Sequence, residues 1–253
     1  MSISKYLLIA ALALGSVTRT FAQTADDMAA EGDQLVKNLK EEDAYAKYKS
    51  ALVVQPDNLH ALVQCSFMAS RIGGRQTDKG KATTFYTEAQ DLAGRALKVD
   101  STNADAHVAL AVADFRLTPG LSAKKRAEYG RDVKNLCDKA IKLDPKNYRA
   151  WYLLGLWNIM AFHMSGAERA EAKVLYGGIP DATIKTAIAC FEKCRSINPS
   201  YIINYLDLAK VYKEDDQTEK AITALETLVK LPVQTEDDPA TKAEGRKMLD
   251  ALM

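Results

Sequence analysis

Small and large apolar residues alternate along this chain at helical spacing, and one short phrase recurs five times. In AYAKYKSALVVQPDN, Ala44, Tyr48 and Ala51 fall on one face of a helix, and Pro56 stops it five residues later. The spacing returns as Ala89, Ala93 and Ala96 before Asp100-Ser101, and as Val133, Cys137 and Ala140 before Asp144-Pro145. It returns again as Ala187, Phe191 and Cys194 before Pro199, and as Ala221, Leu225 and Leu228 with Pro232 one residue early. Another apolar helical stretch precedes each copy. The most continuous is WYLLGLWNIM, residues 151–160, with Asn158 as its one polar side chain. Arg149 and His163 leave thirteen residues between them, short of the roughly 20 that a membrane span needs. This stretch reads as one helix of a packed array.

The repeated phrase resembles the second helix of the tetratricopeptide repeat (TPR), which sets small, large and small residues at this spacing and ends in Pro. The first helices fit too. Counting from Tyr148, the fourth, seventh and eighth positions are Trp151, Leu154 and Gly155, the W-x-x-L-G of that family. The eighth position elsewhere holds Gly32, Ser66, Ala111 and Ala209. A small residue there lets a neighbouring helix approach closely. By this register Trp151 belongs to the core, and Trp151→Ala leaves a cavity costing roughly 3–5 kcal/mol.

The resemblance implies an all-α, TPR-like right-handed helical solenoid in one domain, residues 24–253. Its repeats run over 25–58, 59–103, 104–147, 148–201 and 202–235. Stops at 56, 101, 145 and 199 give steps of 45, 44 and 54 residues, against a usual length of about 34. The surplus reads as lengthened connections between the first helix (A) and second helix (B) of a repeat. Gly73-Gly74 with Gly80, Pro119-Gly120, and Gly177-Gly178 with Pro180 mark the places. Ser165 and Glu168 have capping-box spacing and predict an extra helix near 166–176. The closing DDPATKAEGRKMLDALM predicts a capping helix over 239–252, with Asp238 as its cap and Pro239 in its first position.

From Trp151 onward a narrower resemblance appears. LLGLWNIMAF, ERAEAKVLYGGIPDATIKTAIACFEKCRSINP, YLDLAKVYK and LPVQTEDD follow in order. Together they are similar to the C-terminal half of the regulator of microtubule dynamics proteins, over roughly residues 148–252, while the N-terminal half matches only as generic repeats. The likeness implies the inserted helix and the overall shape.

Composition changes this picture in two places. Residues 1–23 pair Lys5 with an apolar run from Tyr6 to Val17 and a polar tail containing Ala22. That is the layout of a secretory signal peptide cut after Ala22 or Gln23, with no Cys at the cut to carry a lipid. On this reading the protein is exported, periplasmic or secreted, with no stable membrane span after cleavage, and the family's microtubule association is not carried over. The 34 Lys and Arg balance 33 Asp and Glu, which offers no electrostatic case for nucleic acid.

Candidate chemistry is sparse. His60, His107 and His163 lie far apart without metal-ligand spacing, and no G-x-S-x-G or phosphate-loop pattern occurs. No catalytic, cofactor-binding or metal residue is assigned, and no enzyme is expected. GGRQTDKG lacks the strand-turn-helix context of a phosphate site, and KEDDQTE reads as a solvated turn. Cys65, Cys137, Cys190 and Cys194 read as packing residues.

What remains is surface. In the TPR fold helix A lines the concave face mainly through its second, fifth, ninth and twelfth positions. These are His60, Val63, Phe67 and Ser70, then Asp105, Val108, Val112 and Phe115, then Arg149, Tyr152, Leu156 and Ile159. Arg71 and Arg116 stand at the next position along. The expected protein-binding groove is therefore Val63, Phe67, Arg71, Val108, Val112, Phe115, Arg116, Tyr152, Leu156 and Ile159. It fits an apolar helix or extended segment of a protein partner; the competing arrangement has the inserts or the last helix folded back into it. The function expected is a non-catalytic interaction scaffold. The alternative is a small-molecule or lipid-binding protein, or an enzyme, built on the inserted A–B connections.

Overall fold

A computed structural model describes residues 23–178 and 182–253, so the leader reading of residues 1–22 and the breaker Pro180 lie outside the described residues. Within them the chain is helical, with no strand. The helices pair as α1 (Ala25–Lys37) with α2 (Glu41–Val54), α3 (Leu59–Arg75) with α4 (Lys79–Val99), and α5 (Ala104–Leu117) with α6 (Ala123–Leu143). Next come α7 (Tyr148–Phe162) and α9 (Ile184–Ile197), with α8 (Gly166–Tyr176) between them in sequence. The array ends with α10 (Ile202–Glu214), α11 (Thr218–Lys230) and α12 (Asp238–Asp250).

The A helices of the middle repeats start in one way. Asn58, Asn103 and Asn147 are N-caps whose side-chain oxygens accept the N–H of Ala61, Ala106 and Ala150. Two of these caps also reach back one repeat. Asn58 Nδ2 donates to Asp26 at 2.7 Å, and Asn147 Nδ2 donates to Asp105 at 2.8 Å. The second position of helix A thus tethers the next repeat in these two places, which is where Asp105 is engaged.

Between helices A and B the packing is set by the eighth position. A Cβ on Gly155 would lie 2.5 Å from the Phe191 ring, and one on Gly32 would lie 2.6 Å from the Tyr48 ring. Ser66 donates its hydroxyl to the Ala89 carbonyl at 2.8 Å. These contacts uphold the register, yet Trp151 is only partly buried; its indole N–H donates to the Pro145 carbonyl at 3.0 Å. The core tryptophan is Trp157, 2% exposed, with its N–H on the Gly130 carbonyl. The expectation for Trp151 is corrected accordingly, because in this repeat the fourth position leans over the preceding stop rather than into the layer between helices.

The surplus residues lie between the A and B phrases and are mostly helical. Gly73 and Gly74 sit inside α3 and Gly80 in the first turn of α4, so none of them breaks a helix. Gly73 instead lets the Tyr86 ring approach. In the third repeat a 3-10 turn, Thr118–Gly120, holds Pro119 and Gly120 before the 21-residue α6. In the fourth, α8 carries the capping box of Ser165 and Glu168, ends at Gly177 in the left-handed region, and packs against α6. At the far end α12 begins at Asp238 with Pro239 in its first turn. Asp238 does not cap it. Its buried carboxylate accepts the N–H groups of Gln234 and Thr235 and folds the preceding segment.

All four cysteines are buried free thiols. Burial pushes Cys65 and Cys194 up to about 12 and Cys190 up to about 11, and raises Cys137 as well. Thiols held this way are unreactive packing groups.

Two comparisons test the packing. Gly155→Ala forces a methyl into the Phe191 ring and is expected to lower stability by roughly 1–3 kcal/mol. Gly94→Ala, mid-helix in α4 with no atom within 4 Å of the new methyl, is expected to raise it by roughly 0.5–1 kcal/mol. Trp157→Ala is expected to lose roughly 3–5 kcal/mol, well beyond Trp151→Ala. Urea midpoints of the four variants decide; equal losses at the two tryptophans contradict the assignment.

Candidate protein-binding groove

The residues expected to line the concave face divide into three groups. Val63, Phe67 and Val108 are buried. The Arg149 guanidinium closes over Phe67, 5.0 Å from its ring centroid, and lies 4.8 Å from the Tyr148 ring. Here the A helices approach closely enough for their inward side chains to become core.

Tyr152 belongs to the second group. Its ring is edge-on to Tyr201 at 5.2 Å and tilted against Phe191 at 5.8 Å, and its hydroxyl donates to Asp207 at 2.7 Å. Burial pushes the Asp207 carboxyl above the usual carboxylate range, against the pull of Tyr152 and of Lys210. Burial, with Asp207 beside it, also raises the Tyr152 phenol. Arg71 joins this engaged group. It pairs with the fully buried Glu41 of α2 and with Asp237, from the segment between α11 and α12. Arg75, one turn on, pairs with Glu41 at 2.7 Å, Asp237 at 3.2 Å and Glu236 at 3.3 Å.

The third group stays partly open. Val112, Phe115, Leu156 and Ile159 are half-buried and Arg116 is exposed. Val112, Phe115 and Leu156 meet around the core of α5, α6 and α7, and Leu156 with Ile159 continues onto the core of α9 and α10. They form a strip along α5 and α7, with the Arg116 guanidinium beside Gly74 at one edge. A separate cavity of about 170 Å³ lies by the inserted helix, lined by Ala127, Gly130, Trp157, Met160 and Met164 with Arg126, His163 and Glu168. Arg126 and Glu168 pair there at 2.8 Å.

The register left out Glu41, Arg75, Glu236, Asp237 and Asp207. LPVQTEDD stood out only as part of a family likeness, and nothing local tells a buried carboxylate at a helix start from a solvated one. Asp114, just before Phe115, was also missed. It is 7% exposed and accepts a hydrogen bond from Gln90 at 2.6 Å.

The sequence family described as regulator of microtubule dynamics protein 1-3 matches residues 28–253. The chain belongs to this family. The match begins in α1, so the likeness is not confined to the C-terminal half. Regulator of microtubule dynamics protein 1 of Mus musculus is 29% identical over 180 residues, 70% of this chain and 58% of the mouse protein. Protein 3 of Xenopus laevis is 29% identical over 175 residues, 69% of this chain and 38% of that protein. Protein 1 of Caenorhabditis elegans is 25% identical over 185 residues, 73% of this chain and 80% of that protein. The chain thus spans less than two thirds of these two vertebrate relatives. A thermophilic TPR protein of Thermus thermophilus superposes with a TM-score of 0.64 at 12% identity, over 90% of this chain and 98% of that one, which establishes the TPR-like fold.

The family overturns one expectation. The relatives it matches include animal proteins named for regulating microtubule dynamics, and microtubules lie inside the eukaryotic cell. A periplasmic or secreted scaffold is therefore withdrawn. The expectation rested on the basic, apolar and polar layout of residues 1–23, and such a layout does not by itself fix where the chain goes.

Asp114 supplies a pH test of the α5 wall. Burial raises its carboxyl to about 6, although the Gln90 hydrogen bond pulls the other way. The folded chain therefore holds this proton more tightly than the unfolded chain. Its stabilising contribution is full below about pH 4 and is lost as pH rises to about 6. Asp114→Asn is expected to remove that loss, so that the variant gains on wild type by on the order of 2 kcal/mol between pH 4 and pH 7. Urea titrations at both pH values measure it, and an unchanged difference between the two proteins contradicts it.

Proposed function

We propose that the protein is a non-catalytic scaffold that holds an apolar helix or extended segment of another protein against the α5–α7 strip. The supporting observation is the incomplete burial of Val112, Phe115, Leu156 and Ile159 on consecutive A helices, beside the exposed Arg116. A large apolar side chain fully open to water gives up roughly 1.5–3 kcal/mol of burial; these half-buried side chains give up part of that, which a partner segment recovers on docking. The TPR-like fold supports a protein partner, and the near balance of 34 basic against 33 acidic residues does not favour nucleic acid. Val63, Phe67 and Val108 back the strip from within and do not touch the partner.

A second reading is supported by the cavity beside α8. At about 170 Å³, lined largely by Trp157, Met160, Met164, Ala127 and Gly130, it has room for one small apolar molecule.

Phe115→Glu separates the two. With the strip as the binding surface, this variant keeps its helicity and melts within a few degrees of wild type, while capture of the native partner from cell extract falls at least tenfold. Val53→Glu, at an exposed position on α2, keeps both. A Phe115→Glu chain that unfolds shows the strip to be core and moves the function to the outer face or to the α8 cavity.

A further inference from the structure

The segment between α11 and α12 crosses to the opposite end of the array and is held there by charge. Glu236 accepts the N–H of Glu41 at 2.7 Å and returns its own N–H to the Glu41 carboxylate at 3.2 Å. Glu41 is the first residue of α2, whose N-cap Lys40 makes no side-chain cap, so Glu236 serves as the missing cap from 195 residues away. Asp237 accepts from Arg75 Nη1 at 3.2 Å and from Arg71 Nε at 3.4 Å. Pro232, Val233 and Gln234 are exposed, so this strap is fastened by its carboxylates rather than by apolar burial.

Two further observations set the chemistry of the seat. With the strap in place, three carboxylates face two guanidiniums; with it removed, Glu41 alone faces Arg71 and Arg75, and the seat is net basic. The Nη2 atom of Arg75 is buried and makes no hydrogen bond, although a Glu236 oxygen lies 3.3 Å away. The strap thus leaves a donor unsatisfied that a better-placed acceptor can take.

We propose that Arg71, Arg75 and the N-terminus of α2 form a receptor for an extended acidic segment of a partner protein. Residues 231–238 are an intramolecular stand-in that the partner displaces. The recognised feature is an adjacent Glu–Asp pair, with the Glu on the α2 terminus and the Asp across the two guanidiniums. A tethered strap competes at an effective concentration on the order of millimolar, so the intact chain binds such segments weakly. The proposal rests on the scaffold reading, and its seat is distinct from the α5–α7 strip.

The test uses the full chain, wild type and with Glu236→Gln and Asp237→Asn together. Two labelled peptides serve as probes: one with the sequence of residues 231–240, and one with a single Glu–Asp pair in a Gly/Ser background. The double variant is expected to bind both at least tenfold more tightly than wild type, with affinity falling as salt rises. Peptides with Gln and Asn in place of their acidic residues are expected not to bind. Phe115→Glu is expected to leave peptide binding unchanged, so failure of the strip leaves this result standing. A folded double variant with no gain in affinity overturns the proposal. So does a gain confined to the strap sequence, or a dimer by light scattering, which means exchange of straps between two copies. Should the double variant not fold, amide hydrogen exchange of the wild-type chain decides. The Glu41 and Glu236 amides are expected to exchange at least a hundredfold faster than those of Leu206 and Leu225. Equal protection shows that the strap opens only on unfolding and overturns the proposal.

Discussion

A glycine under an aromatic ring is the contact on which this structure depends. Gly155 lies against Phe191 and Gly32 against Tyr48, each pair so close that no Cβ fits. A similarly close approach, to an aliphatic side chain, occurs where α12 closes the array, with Gly245 against Leu228. Close approach of A to B brings the layers of successive repeats into register, and the Asn caps then tie one repeat to the next. Loosening the first contact widens the pair and separates everything stacked on it.

The same tightness governs the concave face. A TPR groove is open only where its inward side chains are not covered by one another, and Arg149 of α7 covers Phe67 of α3 across the intervening repeat. Apolar side chains at inward positions there are consumed as core, and polar ones are drawn into pairs such as Tyr152 with Asp207. The large apolar inward residues that keep part of their surface in water, Val112, Phe115, Leu156 and Ile159, lie along α5 and α7. Curvature, more than composition, decides which inward residues are available to a partner.

This explains what could be read in the chain and what could not. The small-large-small phrase and its stop report local geometry, so helix order, the A–B contacts and the capping box of α8 were legible. Glycine at 73, 74 and 80 was misleading, because a glycine carried inside a helix, as Gly73 is beneath the Tyr86 ring, looks the same in sequence as one that breaks it. Trp151 and Trp157 differ by six positions on one helix, which sets them roughly 120° apart around its axis, so one meets the preceding stop and the other the core. The site residues were legible as a face but not as a surface. Whether Phe67 is open depends on Arg149, and Glu41 is held by Arg71 and Arg75 together with Glu236, which arrives from the other end. No local pattern carries that information.

A consequence of that long-range tie concerns the order in which the molecule comes into being. Glu41 emerges from the ribosome 195 residues ahead of Glu236, an interval of roughly 10–40 s at roughly 5–20 residues per second. Helix pairs need only their neighbours and can form as they appear. The newborn protein is therefore an open array for most of its synthesis, with α2 uncapped and two arginines awaiting carboxylates not yet made. The ring between its ends closes last, after the final repeat has left the ribosome.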